Sequence, residues 1–151
     1  MLVARNIMSS PVITFFAEQT LPLAEDVMHF KHLRHLPVID DDGKLVGLVS
    51  HRDLLRAQIS SLTGLTESQR RARQDDVRVR QVMTQDVWTV RPETEASTVG
   101  RTLLDHRFGC VPVVDGDGRL IGIITERDFV KYAIERLEEE ELGAAPALAA
   151  L

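Results

Sequence analysis

One ten-residue stretch occurs twice in this chain, and the duplication limits the possible folds more than any other feature. The first copy, LVGLVSHRDL, runs from Leu45 to Leu54, and the second, LIGIITERDF, runs from Leu120 to Phe129. Each copy is a mainly β-branched apolar run, followed by a hydroxyl residue and, three positions later, an aspartate. The offset between them, from Leu45 to Leu120, is 75 residues.

The match continues on both sides of this stretch without a gap. Matching pairs include Met8 and Met83, Val12 and Val87, Thr14 and Thr89, Pro37 and Pro112, and Asp42-Gly43 and Asp117-Gly118. A repeat held in register over roughly fifty residues indicates two copies of one supersecondary unit, neither of which buries its apolar face alone. We therefore predict a tandem repeat.

Composition restricts the class of protein. The chain has 151 residues, 44% of them hydrophobic, which is typical of one compact globular body. Its net charge of −5 disfavours bulk attraction to nucleic acid or anionic membranes. The single cysteine, Cys110, excludes an intrachain disulfide framework and is typical of a reducing compartment. With no apolar run of membrane-spanning length and no secretory signal, we expect a cytoplasmic protein.

The first repeat predicts the order strand, helix, strand, strand, helix. The predicted strands are Val12–Phe15, His35–Ile39 and Leu45–Val49, and the predicted helices are Thr20 to about Lys31 and a second one from Ser50. Pro37 indicates a strand start or a sheet edge. The predicted buried helix faces are Leu21, Ala24, Val27 and Met28, and then Leu55, Ile59 and Leu62.

The second repeat follows the same plan after an arginine-rich linker, in which Thr66 to Gln69 resembles a capping box. Its predicted elements are a strand Val87–Val90, a helix Ser97–Asp105, strands Cys110–Val114 and Leu120–Ile124, and a helix from Arg127 with Val130, Ala133, Ile134 and Leu137 at core spacing. Acidic residues from Glu138 to Glu141 oppose the helix dipole, so we expect fraying there. The predicted division is repeat 1 over 1–62, linker over 63–77, repeat 2 over 78–137 and tail over 138–151.

The duplicated motif places a hydroxyl, an arginine and an aspartate where a strand ends and a helix begins. Its two copies are Ser50-His51-Arg52-Asp53 and Thr125-Glu126-Arg127-Asp128. Free N–H groups and the positive end of the helix dipole favour phosphate at such a position. Arginine can bind phosphate in a bidentate manner, and a carboxylate can accept hydrogen bonds from a ribose diol. The motif is therefore suited to a nucleotide.

The same residues also have a purely structural interpretation. Ser-x-x-Asp and Thr-x-x-Asp are close to the capping box, in which the hydroxyl and the acidic residue satisfy N–H groups at a helix start. The motif residues alone favour capping over ligand binding. The two roles are compatible with each other.

With their flanking residues, the two copies resemble the CBS domain, named for cystathionine β-synthase. The resemblance rests on Ile7-Met8, Val12–Thr14, Leu33–Asp40 and Gly47–Asp53, and on Val82-Met83, Val87–Pro92, Val111–Asp115 and Gly122–Asp128. It implies an α/β (α+β) fold, in which two β-α-β-β-α repeats pack sheet to sheet with pseudo-twofold symmetry and leave two clefts between them.

In this family each cleft can bind an adenosine-containing ligand such as AMP, ADP, ATP or S-adenosylmethionine. The resemblance implies a first site that combines Ser50, Arg52 and Asp53 with Val87, Trp88 and Phe108-Gly109-Cys110. It implies a second site that combines Thr125, Arg127 and Asp128 with Val12, Ile13 and Leu33-Arg34-His35. Dimerisation into a flat disc, also implied, would bring His51 and Arg52 towards a shared phosphate region.

Differences between the copies distinguish the two sites. Glu126 stands where the first copy has His51, so we expect a diphosphate or triphosphate near the first motif and a less anionic ligand near the second. Trp88 can stack on adenine, although a lone tryptophan in a strand is more often part of the core.

Other candidate sites are less favoured. His29 and His32 lie three residues apart on a predicted helix, but no third metal ligand is evident, so the pattern favours exposed histidines. Cys110 lies in a predicted buried strand without an adjacent base, which favours a packed thiol over a nucleophile. No kinase, NTPase or metal-hydrolase motif is present. We therefore expect neither an enzyme nor a required metal or cofactor.

These features predict a stand-alone regulatory module, a homodimer that binds an adenosine-containing ligand and signals to an unknown effector protein through a conformational change. The alternative is a structural dimerisation or scaffold module with vestigial clefts. Retention of both aspartates and both hydroxyl residues counts against it. A nucleic-acid binder that uses the arginine-rich linker is disfavoured by the negative charge and the scarcity of aromatic residues.

Overall fold

The computed structural model describes residues 1–60, 64, 66–74 and 76–149. The elements of its first half are helix α1 Ala4–Ile7, strand β1 Phe15–Phe16, helix α2 Leu21–Lys31, strands β2 His35–Ile39 and β3 Leu45–Ser50, and helix α3 His51–Ser60. The second half contains helix α4 Glu67–Gln74, a short 3-10 turn Val79–Gln81, helix α5 Ala96–His106, strands β4 Cys110–Val114 and β5 Leu120–Thr125, and helix α6 Glu126–Ala149. The predicted mixed α/β fold is confirmed.

Two small sheets carry the core. In one, β2 lies between β1, to which it is parallel, and β3, to which it is antiparallel. In the other, β4 and β5 form an antiparallel pair. Alternating apolar residues of the strands point into two clusters, one around Leu36 and Val49 and the other around Val111 and Ile124, all fully buried. Burial of such side chains is the main stabilising contribution in a domain of this size.

The prediction for Pro37 is wrong, because this residue is the third of five in the central strand of its sheet. The strand tolerates a missing N–H at this position for a local reason. Leu48, opposite Pro37, directs its own N–H and C=O to Thr84, at 2.9 Å each, and the pairing of β2 with β1 begins only at Val38. No ladder hydrogen bond therefore requires a donor from Pro37.

The first predicted strand of each repeat is also wrong. In the first repeat, strand β1 contains only Phe15 and Phe16, and Phe16 lies beyond the predicted strand Val12–Phe15. Of the predicted strand Val87–Val90 in the second repeat, only Val90 forms a bridge, to Val113. A β-branched composition favours extended backbone, but a strand also needs a neighbour of sufficient length.

Pseudo-twofold symmetry relates the repeats, as predicted. The Leu45 N–H donates to the Gly118 carbonyl at 3.1 Å, and the corresponding Leu120 N–H donates to the Gly43 carbonyl at 3.0 Å. The bridges from Val3 to Glu95 and from Thr20 to Arg78 are another pair related by the offset between the copies. Contacts that repeat at this offset in both directions are what a local twofold axis produces.

The segments that precede the two repeats are exchanged. We call residues 3–9 and 78–84 the lead-in segments. Ala4, from the first, is fully buried in the core of the second repeat, and Val79, from the second, is fully buried in the core of the first. Ser9 exchanges two backbone hydrogen bonds with Ile123, as Thr84 does with Leu48. The boundaries 1–62 and 78–137 follow the sequence repeat, whereas each compact core includes residues from both.

Several helical predictions need correction. Leu54, rather than Leu55, is the buried leucine of α3, while the predicted Leu62 lies outside the described residues and nothing is described of the Ile59 side chain. The predicted core face of α6 is exposed: Val130, Ile134 and Leu137 are 56%, 49% and 58% accessible. The predicted fraying is wrong, because α6 continues through the acidic run to Ala149.

None of the described helices is both long and apolar enough to cross a bilayer.

The lead-in contacts explain why the duplicated motif contains a glycine. A Cβ on Gly47 would lie 2.5 Å from Sδ of Met83, and one on Gly122 would lie 2.8 Å from Cγ of Met8. A Cβ on Gly116 would have no neighbour within 4 Å.

We expect Gly122→Ala to lower the free energy of unfolding by about 1–3 kcal/mol through overpacking, and Gly116→Ala to have little effect. Equal urea midpoints for both variants would contradict the close packing of the lead-in segments.

Candidate functional site

Both copies of the motif form helix caps. The Asp53 carboxylate accepts hydrogen bonds from the Ser50 N–H at 2.7 Å and the Ser50 hydroxyl at 2.9 Å, and the Asp53 N–H donates to the Ser50 hydroxyl at 3.2 Å. The Asp128 carboxylate accepts from the Thr125 N–H at 2.7 Å and its hydroxyl at 3.2 Å. In each pair one carboxylate oxygen, Oδ2, receives both bonds. The structural interpretation of the motif is correct, and the caps hold both carboxylates in defined orientations.

A cavity of about 1790 Å³ lies between the repeats beside the second copy of the motif. Its lining includes all eight residues that the resemblance placed in the second site: Val12, Ile13, Leu33, Arg34, His35, Thr125, Arg127 and Asp128. These residues come from both repeats. The structure therefore brings together groups separated by about a hundred positions in the sequence.

Residues at and just after the end of α2 form part of the first-repeat side of this cavity. His32 terminates the helix in the left-handed conformation, with φ of 53°, and turns the chain towards Arg34 and His35. Arg107 has the same φ at the corresponding position after α5. Left-handed backbone is uncommon for residues other than glycine, so its occurrence at both equivalent positions identifies a turn that the fold requires.

His35 forms part of the cavity wall at its boundary with the other repeat. A Cβ built on Gly109 would lie 2.5 Å from Nε2 of His35, so the imidazole packs directly on the Gly109 backbone. Burial lowers the pKa of His35, the Arg34 guanidinium lowers it further, and the Asp53 carboxylate opposes both. The folded protein therefore favours the neutral imidazole.

The residues of the first predicted site are not brought together in the same way. His51 and Gly109 line the cavity described above, next to the second copy of the motif. Val87 lines a separate pocket of about 230 Å³. The other members, Ser50, Arg52, Asp53, Trp88, Phe108 and Cys110, line neither of these two cavities. His51 and the second motif line the same cavity, and the expected separation of anionic and less anionic ligands between two sites stays a prediction.

Trp88 is not a core residue, so the core alternative for it is wrong, and its part in a ligand site stays a prediction. Its side chain is 51% exposed, and its ring lies 4.8 Å from that of His106 and 6.2 Å from that of Phe108, centroid to centroid. His106 and Phe108 stack at 5.1 Å with an interplanar angle of 14°. Trp88 lies outside the named strands, which removes the basis for the core prediction.

Cys110 is a packed thiol. Its side chain is buried in β4, where it pairs with Thr125 of β5, and burial raises the pKa of the thiol to about 12. A thiol that remains protonated at neutral pH is a poor nucleophile. Among the described residues, no group of three or more His, Cys, Asp or Glu side chains could hold a metal ion.

Sequence reasoning missed several residues of the cavity. Ser9, Phe30, His32 and Lys131 line it but lie outside the motifs that carried the resemblance. Ser9 reaches this position only through the exchange of the lead-in segments. Its counterpart in the repeat, Thr84, is also a hydroxyl residue, and this shared chemistry is a signal that could have identified it.

A family model of the CBS domain matches residues 4–60 and 79–135. The chain belongs to the CBS domain family. The predicted pair of CBS repeats is thereby confirmed.

Three known proteins show how far this similarity extends. An inosine-5'-monophosphate dehydrogenase of Methanocaldococcus jannaschii is 33% identical over 128 residues, 85% of this chain, but the match spans only 23% of the dehydrogenase. A structure from Vibrio cholerae assigned to acetoin utilization (AcuB) has a TM-score of 0.80 and 35% identity, and the match covers 93% of this chain and 96% of that one. The CBS-pair protein CBSX2 of Arabidopsis thaliana, in complex with AMP, has a TM-score of 0.76 and 30% identity over 89% and 98% of the two chains.

The lowered pKa of His35 predicts a change of stability with pH. The unfolded chain protonates this histidine near pH 6.5, whereas the folded CBS pair resists protonation until a lower pH, so stability falls as the pH drops below about 6.5. We expect His35→Gln to lose less stability than wild type between pH 7.5 and pH 5.5 in urea unfolding. Parallel losses in the two proteins would show that His35 does not contribute to the pH dependence.

Proposed function

We propose that this CBS pair is a regulatory module that binds an adenosine-containing ligand in the cavity between its repeats. The observation that carries the proposal is the meeting of Thr125, Arg127 and Asp128 with Val12, Ile13 and Arg34 around one cavity. The AMP complex of CBSX2, which matches nearly the whole chain, supports AMP as the first ligand to test.

The chemistry of the cavity suits the parts of such a ligand. Val12 and Ile13 offer apolar surface for a base, and Asp128 offers carboxylate oxygens for ribose hydroxyls. Cationic side chains for phosphate come from Lys31, Arg34, Arg127 and Lys131. The first N–H groups of α6 add a favourable site for an anion at the same end of the cavity.

We propose a second, separate site at the first copy of the motif. It would use Ser50, Arg52 and Asp53 with Val87, Trp88, Gly109 and Cys110. His51 is better assigned to the cavity that Asp128 also lines, where its imidazole can donate a hydrogen bond to phosphate. S-adenosylmethionine, ADP and ATP are the comparison ligands, because each shares the adenosine group.

Regulation would follow from the position of the cavity between repeats. A ligand that contacts both repeats can shift their relative packing only if it binds the two arrangements with different affinity. Because no reaction is assigned to the cavity, an effector protein would have to read this shift. We place the module in the cytoplasm, because its single cysteine fits a reducing compartment.

We expect AMP to bind wild type and to bind Asp128→Asn at least about tenfold more weakly, because hydrogen bonds to charged groups contribute about 1.5–3 kcal/mol. Asparagine retains an acceptor oxygen for the cap, which limits loss of stability. Asp117→Asn, in an exposed turn, is the matched control. Isothermal titration calorimetry measures the affinities, and Asp53→Asn in the same series reports on the proposed second site.

The outcomes separate the candidate functions. Binding that weakens in Asp128→Asn but not in Asp117→Asn supports the proposed site. A folded wild-type protein that binds none of AMP, ADP, ATP or S-adenosylmethionine would contradict the regulatory proposal and favour a scaffold.

We propose further that the module is a homodimer. The exposed residues Val130, Ile134 and Leu137 recur at intervals of four and three, so they form one apolar stripe on α6. Leu55, the counterpart of Val130 on α3, is also exposed. Contiguous exposed apolar surface is typical of association sites, and a second copy of the chain offers a self-complementary partner.

Leu137→Glu should therefore convert a dimer into a folded monomer, because it places a charge within the proposed interface. Leu104→Glu, the same change at another exposed leucine, should remain dimeric. Sedimentation velocity measures the mass, and circular dichroism checks folding. A monomeric wild-type protein at tens of micromolar, or equal behaviour of the two variants, would contradict this interface.

A further inference from the structure

The two motif carboxylates differ at their second oxygen. Oδ1 of Asp128 accepts a hydrogen bond from the Ser9 hydroxyl, at 3.0 Å. The equivalent oxygen of Asp53 accepts no hydrogen bond from the residues that the structure describes. The sequence repeat hides this difference, because Ser9 and its counterpart Thr84 both carry a hydroxyl.

Backbone hydrogen bonds hold Ser9 in this position. Its N–H donates to the Ile123 carbonyl at 2.9 Å, and its carbonyl accepts from the Ile123 N–H at 3.1 Å. Thr84 makes the same pair of bonds to Leu48, at 2.9 Å each, but its hydroxyl has no hydrogen bond to Asp53. The difference therefore lies in the side chains, while the two lead-in segments share their backbone anchoring.

Ser9 and Asp128 both line the cavity, where they present two neighbouring acceptors. A serine hydroxyl has one proton and two acceptor lone pairs. Because the proton is directed to Asp128, the lone pairs remain available to a donor from a ligand. A carboxylate oxygen with a single hydrogen bond can also accept another.

We propose that Ser9 is a ligand-positioning residue that acts with Asp128 as a paired acceptor for a vicinal diol, one hydroxyl to each residue. This inference rests on the proposed binding of an adenosine-containing ligand. It specifies that the ribose diol is the part of that ligand which this cleft recognises. The pair favours a ribonucleotide with both hydroxyls over either deoxy form. Among the described residues, no hydroxyl donates to the second oxygen of Asp53, so we assign diol selectivity to the Asp128 cleft.

The test compares AMP with 2'-deoxy-AMP and 3'-deoxy-AMP by isothermal titration calorimetry. Ser9→Ala, Ser9→Thr and Thr84→Ala are each measured in an Asp53→Asn background, so that the heats report on the Asp128 cleft. A neutral hydrogen bond is worth about fivefold in affinity. We expect Ser9→Ala to weaken AMP about fivefold and to lower one of the two AMP-to-deoxy affinity ratios by a similar factor. Ser9→Thr, which retains the hydroxyl, should preserve that ratio, as should Thr84→Ala.

A purely structural Ser9 gives a different pattern. Loss of a link between the lead-in segment and α6 would weaken all three ligands equally and leave both ratios unchanged, which would overturn the proposal. An equal change of ratio in Thr84→Ala would also overturn it.

The failure of this inference can be distinguished from the failure of the proposed function. If AMP binds the parent protein and Asp128→Asn weakens it, while Ser9→Ala retains both affinity and ratios, the binding site stands and the role of Ser9 does not. If the parent binds no AMP, both are overturned. Thermal unfolding of Ser9→Ala checks that it remains folded, and Ser9→Gly, which also lacks the hydroxyl, supplies the ratio measurement if it does not.

Discussion

The cavity depends on the exchange of the two lead-in segments between the repeats. In the segment at 3–9, Ala4 packs into the core of the second repeat, and Ser9 forms two backbone hydrogen bonds with Ile123 of β5. The segment at 78–84 does the same for the first repeat with Val79 and Leu48. An unpaired strand edge and an incomplete apolar core are both unfavourable, so neither repeat is complete without the other's segment. Their mutual dependence places the end of α2 opposite the start of α6.

Capping and ligand binding use different oxygens of the same carboxylates. Oδ2 of Asp53 and of Asp128 satisfies the N–H and hydroxyl of the preceding cap residue. This hydrogen bonding fixes the side chain before any ligand arrives, so little conformational entropy is lost on binding. The other oxygen, Oδ1, accepts a hydrogen bond from Ser9 in Asp128, but in Asp53 it accepts none from the described residues. Two nearly identical motifs therefore have different surroundings. Internal symmetry of sequence therefore does not imply equal sites.

Local sequence patterns predicted the elements in which adjacent residues decide the structure. The hairpin strands, the turns at Asp42-Gly43 and Asp117-Gly118 and the start of α2 near Thr20 follow from β-branched runs, glycine with positive φ and proline in a first helical turn. The errors occur where a distant neighbour decides. Val12–Thr14 lacks a paired strand, Trp88 remains half exposed beside His106, and Val130 lies on the surface of α6 although its spacing is that of a core helix.

The sequence by itself determined that the chain has two equivalent repeats, which residues end their strands and cap their helices, and that hydroxyl, arginine and aspartate share a helical turn. These properties depend on chemistry within a few residues or on an exact internal match. Only the tertiary structure decided which residues come together: that His35 packs on Gly109, that His51 lines the same cavity as the second motif and that Ser9 reaches Asp128. Contacts between residues remote in sequence arise from the packing of whole elements, and no local pattern encodes the direction from which a partner arrives.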